Sequence, residues 1–136
     1  MADKIQKVTY FICNRPNKPG EGAHLLKQLK DSGVNLYAFH GFPSGRRAQI
    51  DLVPEDAALF RKVAKKLGLD LEETKTGFLV RGKDRVGAIV EMLETLAASD
   101  INITAIDAVA AGSGRFGAIF WVNAQDVTRT AKLLGI

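Results

Sequence analysis

Cysteine is nearly absent from this sequence: of 136 residues only Cys13 carries a thiol, so no disulfide can close within the chain. A chain without disulfides suits a reducing compartment, and the cytoplasm is the expected location. The start, MADKIQKVTY, has no apolar core of a secretion signal. Histidine is scarce too, with only His24 and His40, and these stand in no HExxH spacing. With a single cysteine beside them they cannot assemble a zinc site, so neither metal nor cofactor is expected. Apolar runs are a few residues long, whereas a membrane-crossing helix takes about 20. Catalytic groups are equally thin. Cys13 lies in the apolar run Phe11-Ile12-Cys13 and reads as a buried, inert thiol. Neighbouring carboxylates such as Glu72 and Glu73 would point to opposite faces of a strand and could not share a proton. The chain reads as a binder rather than an enzyme.

What is present is globular. Apolar residues make up 46% and charged residues 25%, which excludes collagen, coiled coil and disorder. The length allows one ordinary domain or two very small ones. The net charge of +4 falls in residues 1–75, with 13 Lys and Arg against 9 Asp and Glu, while residues 76–136 hold 6 of each. Much of the excess sits on two expected helices, at Lys27 and Lys30 and at Arg61, Lys62, Lys65 and Lys66. Solvated helix faces account for such charge without a nucleic acid.

The chain repeats itself. Aligning KPGEGAHLLKQLKDSGVNL (18–36) with RVGAIVEMLETLAASDINI (85–103) places Gly20 on Gly87, Leu29 on Leu96 and Asn35 on Asn102, at an offset of 67. Further on, Ser44-Gly45-Arg46 falls on Ser113-Gly114-Arg115 at an offset of 69. Two domains are therefore expected, residues 1–75 and 76–136. Each reads as strand, helix, strand, strand, helix.

In the first copy VTYFICN (8–14) is a strand, and the Pro- and Gly-rich loop RPNKPGEG breaks it. A helix over about 20–32 turns Ala23, Leu25, Leu26 and Leu29 inward and stops at Gly33. Strands over 34–42 and 47–53 flank a Pro-Ser-Gly turn. Pro54 and Glu55 are expected to open a second helix with Leu59, Phe60, Val63 and Leu67 in the core. LDLEET (69–74) supplies a fourth strand. In the second copy TGFLVRG (76–82) is the first strand, Asp84 is a candidate cap for a helix over about 85–98, and Asn123 for the last helix. Only Gly135 and Ile136 follow Leu134, so the second copy lacks its own last strand. The fold class is α+β: two ferredoxin-like βαββαβ units in tandem, antiparallel sheets with helices on one face. An open sheet edge is seldom left bare, so the vacant position is expected to be filled by the other copy or by a second subunit.

Two phosphate-binding motifs match only in letters. Gly112-Ser113-Gly114-Arg115-Phe116-Gly117 fits GxGxxG, but a strand follows where a helix must hold the pyrophosphate. Gly77 to Asp84 approaches a P-loop, yet Asp84 stands where the Mg²⁺-binding hydroxyl belongs, and the loop positions form a strand.

Two families share the βαββαβ order. Tyr10-Phe11-Ile12-Cys13-Asn14 resembles the first-strand signature of the RNA-recognition motif, and Arg115 to Phe120 faintly resembles its third-strand signature. These halves lie in different copies. Arg46 to Asp51 carries no aromatic, and Phe78 is alone on its strand, so neither copy presents both stacking platforms.

The ACT domain, a small regulatory module that senses amino acids in metabolic enzymes, is resembled across both copies. Asn17-Lys18-Pro19-Gly20 precedes Gly33-Val34-Asn35-Leu36, and Asp84-Arg85-Val86-Gly87 precedes Asp100-Ile101-Asn102-Ile103. The resemblance implies a site where the turn of one domain meets the second strand of a neighbouring one, with a free amino acid as ligand. Its residues would be Asn17, Gly20 and Asn35 in the first copy and Asp84, Gly87 and Asn102 in the second. Glycine admits close backbone approach, helix N–H groups favour a carboxylate, and an asparagine amide serves both ends of an amino acid. Asp84 departs from the pattern, because its charge opposes a ligand carboxylate. Helix capping by Asn17 or Asp84, and turn formation by Asn35 or Asn102, are the competing structural roles. The resemblance also implies a non-catalytic, allosteric sensor, a homodimer, and a metabolic enzyme as a possible partner. The alternatives are a regulatory subunit or interaction module for such an enzyme, and an RNA-binding protein of similar topology.

Overall fold

The computed structural model describes residues 3–72 and 74–136. Its strands are β1 (Lys4–Pro16), β2 (Leu36–Ser44), β3 (Arg47–Pro54), β4 (Lys75–Lys83), β5 (Ile103–Gly112) and β6 (Arg115–Val122). Its helices are α1 (Glu21–Asp31), α2 (Ala57–Leu67), α3 (Val90–Ala98) and α4 (Val127–Leu133), with a 3-10 turn at Ala124–Asp126. The hydrogen-bonded strand order is β2-β3-β1-β4-β6-β5. This is the expected α+β class, consistent with tandem ferredoxin-like units. No described helix is long and apolar enough to cross a membrane.

Contacts divide the chain into a first unit, Thr9–Lys75, and a second unit in which the chain up to Val8 joins Thr76–Ile136. In this division the residues up to Val8 fall with the second unit. Strand β1 runs through both units, and its first half, beside β4, takes the fourth-strand position that the second repeat lacks. Ile5 from this half packs against the second unit's core. The vacant edge is thus filled from within the chain, by residues that precede the first copy's own portion of β1.

In the first unit, β1, β2 and β3 pair in antiparallel register, with Phe11 opposite Leu52 and Cys13 opposite Ile50. Those four side chains, with Leu25 and Leu29 of α1 and Phe60, Val63 and Ala64 of α2, form the core. The spacing 60, 63, 64, 67 is one face of a helix, and α2 buries that face. Asp56 caps α2 by accepting the Leu59 N–H at 3.0 Å, and Gly68, at φ +66°, ends it. Pro54 instead closes β3, so the helix opens two residues later than expected. Ala23, expected inside, is exposed. The expected strand over 69–74 is reduced to one bridge, Cys13 with Leu71, reinforced by Asn14 N–H to Asp70 O at 3.1 Å and Glu72 N–H to Ile12 O at 2.9 Å. Glu73 lies outside the described residues.

In the second unit, Phe78 and Phe120 sit opposite each other on β4 and β6 with ring centroids 5.1 Å apart and planes 16° apart. Val80, Leu96, Ile101, Phe116, Ala118, Val122 and Ala131 join them in that core. α3 is shorter than expected. Residues 86–89 form a turn, Ile89 stands at the cap position, and no side chain caps the helix. Asp84 therefore does not cap it; its N–H donates to the Gly114 carbonyl at 2.8 Å. Asn123 holds the cap position of the 3-10 turn, also without a capping side-chain bond.

Candidate functional site

α1 begins directly after Gly20, whose φ of +91° lies in the left-handed region, and no side chain caps the helix. A Cβ at Gly20 would meet nothing within 4 Å, so it is the backbone angle, not crowding, that calls for glycine. The Glu21 N–H donates to the Lys18 carbonyl at 3.4 Å, so in the first turn of α1 the N–H groups of Gly22 and Ala23 are left to solvent or to a ligand. Asn17 lies in the exposed bend before this turn. Beside it, Arg15 Nε is 3.2 Å from Glu21 Oε1, although the N–H does not aim at that oxygen. This proximity offsets the Glu21 charge, which would otherwise oppose an anion at the helix start.

Asn35 lies beyond the other end of α1. Its Nδ2 donates to Glu55 Oε2 at 2.8 Å, and the Glu55 N–H donates back to the Asn35 carbonyl at 2.9 Å. Glu55 is the residue that the sequence reading missed. Hairpin register brings it there, since Leu36 pairs with Pro54 across β2 and β3. The pair offers carboxylate oxygens and the free Asn35 Oδ1, all acceptors suited to an ammonium. Within one unit the two halves stay apart: the 11 residues of α1 amount to about 16 Å of rise.

The second repeat places its residues differently. Gly87 has φ +69°, and a Cβ there would come within 3.3 Å of Val90 Cγ2. The helix, however, starts only at Val90, so no helix N-terminus opens onto Gly87. Arg85 occupies the turn instead. It donates to the Lys83 and Ala88 carbonyls at 2.8 and 3.1 Å and to both carboxylate oxygens of Asp3 at 3.2 Å. Asp84 and Asn102 are exposed, the latter just past Asp100 at φ +58°. The two turns thus differ: in the first repeat a helix starts directly after the glycine with no side-chain cap, and in the second Arg85 spans the turn and the helix starts three residues after Gly87.

The aromatics that resembled an RNA platform are buried: Tyr10 at 8% exposure, Phe116 at 6%, and Phe78 and Phe120 at 0%. None can stack on a base. Cys13 is fully enclosed, and burial pushes its thiol pKa up, as expected of an inert core residue. Asp51 is a polar group buried on β3, where it accepts from Gln49 Nε2 at 3.0 Å. Burial raises its pKa, against the lowering pull of Gln49 and His40. Burial, and then the Asp51 charge, push Tyr10 up to about 12. Among the described residues no cluster of His, Cys, Asp and Glu could hold a metal.

No protein-family model and no curated protein matches the chain. Solved structures do. A protein from Bacteroides thetaiotaomicron superposes with a TM-score of 0.81 at 14% identity, over 96% of this chain and 88% of that one. The ligand-free regulatory subunit of aspartate kinase from Thermus thermophilus gives 0.64 at 16% identity, over 98% and 94%. The Clostridium acetobutylicum aspartate kinase gives 0.55 at 21% identity, with 98% of this chain matching 33% of the larger one. At these identities the likeness is one of fold alone.

Proposed function

We propose that the protein is a non-catalytic regulatory module that binds a free amino acid between two copies of the chain. The carboxylate would sit at the Asn17–Gly20 turn of one copy, against the uncapped start of α1. The ammonium would meet Asn35 and Glu55 of the other. The carrying observation is the separation of these halves along α1: each half suits one end of an amino acid, and one unit cannot close both on a small ligand. A homodimer supplies the missing half. The edge strands β2 and β5 support this reading, since they expose Phe39 at 45% and Val109 at 67%, apolar surface that a second chain would cover. A ligand that touches both copies favours the arrangement in which they close on it, which is sufficient for regulation. The likeness to aspartate kinase regulatory subunits favours a metabolic enzyme as the regulated partner.

The second repeat, its turn crossed by Arg85, is silent in this scheme. A thermal-shift screen against the twenty amino acids at millimolar concentration tests the reading. Ligand at a hundredfold excess over Kd stabilises the folded state by about 2.7 kcal/mol, a shift of several degrees. A shift with one amino acid, absent in Asn35→Ala, supports the proposal. No shift with any of them contradicts it.

A further inference from the structure

We infer a second binding site in the first unit, a cleft between α2 and the chain around Leu71 that takes a small monocarboxylate with a short aliphatic tail. The cleft has a volume of about 310 Å³ and is distinct from the Gly20 turn and from Asn35. That volume lies at the small end of ligand pockets, which run from about 300 to 1,000 Å³. Its lining is largely apolar: Phe11 and Ala64, at 2% and 4% exposure, and the partly buried Leu69 and Leu71.

Two cations stand at its rim. Arg61 and Lys65 are one helical turn apart on the same flank of α2, and both line the cleft. The Arg61 guanidinium lies 5.4 Å from the centre of the Phe11 ring, directly above the apolar floor. Among the described residues no carboxylate pairs with either cation. A carboxylate placed between them would gain charge-assisted hydrogen bonds while its tail covers the partly exposed Leu69 and Leu71. Glu72 also lines the cleft, so among the described lining residues the balance is one positive charge, which suits a monoanion better than a phosphate or dicarboxylate. Lys62 and Lys66 are not among the lining residues of the cleft. Charge and apolar surface together select the ligand class.

The test is an amide-resonance titration of the full ¹⁵N-labelled chain with sodium hexanoate, with acetate and hexylamine as comparisons. Hexanoate should shift Phe11, Arg61, Lys65 and Leu71. Acetate should bind about tenfold more weakly for want of a tail, and hexylamine should leave these resonances in place. R61Q/K65Q should weaken hexanoate binding by about tenfold or more, a loss of some 1.4 kcal/mol. If that double variant loses the native spectrum, K65Q alone should weaken binding by about threefold, because Lys65 is exposed and its replacement leaves the core untouched. Asn35→Ala should bind hexanoate as the native chain does, which keeps this site separable from the amino-acid site. The inference is overturned if hexanoate shifts none of the four residues, or if its shifts are confined to Gly20–Ala23. Equal binding of hexylamine, or hexanoate binding unchanged by loss of the rim charges, also overturns it.

Discussion

Arg85 and Asp3 face each other as a fork, with Nη1 and Nη2 each 3.2 Å from one carboxylate oxygen. They are 82 residues apart in sequence. The pair fastens the start of β1 to the turn before α3, and Arg81 adds a second tie from β4 to Gln6. The borrowed strand is therefore held at its outer end by side chains as well as by the ladder. Asp3→Ala should speed amide exchange across Ile5–Lys7 and leave Thr9–Pro16 protected, because only the first half of β1 depends on the clamp. Equal acceleration along all of β1 would show that the strand opens as one piece.

Gly82 lies beneath that clamp. A Cβ on it would collide with the Asp3 carboxylate and lie 2.8 Å from Phe116 Cε1. The position needs glycine for space, since its φ is ordinary. Gly82→Ala should cost about 1–3 kcal/mol in urea unfolding. Adding Asp3→Ala should recover part of that loss, as expected for residues in contact. Strict additivity of the two would place the strain on Phe116 alone.

Asp51 makes the chain less stable as pH rises. An unfolded aspartate titrates near about 3.9, and burial moves the folded group above that. Below the unfolded value both states are protonated and the residue has no effect. As pH rises through the window between the two, the unfolded chain ionises first and stability falls. Asp51→Asn, neutral at every pH and still able to accept from Gln49, should therefore raise the melting temperature at pH 7. That gain should shrink towards zero near pH 3. A gain that persists unchanged in acid would point to packing rather than charge.

Capping of α2 rests on one side chain. Asp56→Ala removes the bond from Leu59 N–H and should cost about 1 kcal/mol, while Asp56→Asn should recover most of it. The equivalent change at Asn123, which makes no capping bond, should be close to neutral in the same measurement.

How much of this was legible in sequence depended on whether the signal was local. Most of the stripe 59, 60, 63, 67, the left-handed Gly33 and the hairpin turns at 45 and 114 announce themselves within a few residues, whereas buried Ala64 was not expected in the core. The repeat at an offset of 67 carried the tandem βαββαβ order without any long sequence match. Non-local pairings were harder to read. Nothing near residues 4–8 says that they sit beside β4, because alternation marks a strand but not its neighbour. Asp84 looked like a cap by position, but the helix starts only at Val90 and the turn before it is occupied by Arg85, which engages Asp3. Among the site residues, Gly20 was readable from its local grammar. The Asn35–Glu55 clasp was recoverable only by counting the hairpin register back from Ser44 and Arg47.

The most direct measurement is calorimetric titration of the twenty amino acids into four samples: the native protein, Gly20→Val, Asn35→Ala, and the two variants mixed and refolded together. If the turn of one copy and Asn35 of the other make one site, one amino acid binds the native protein and neither variant alone. The mixture then regains binding, because a mixed dimer keeps one site with both native halves. Binding that survives in either variant alone, or that fails to return on mixing, would contradict a site shared between two copies.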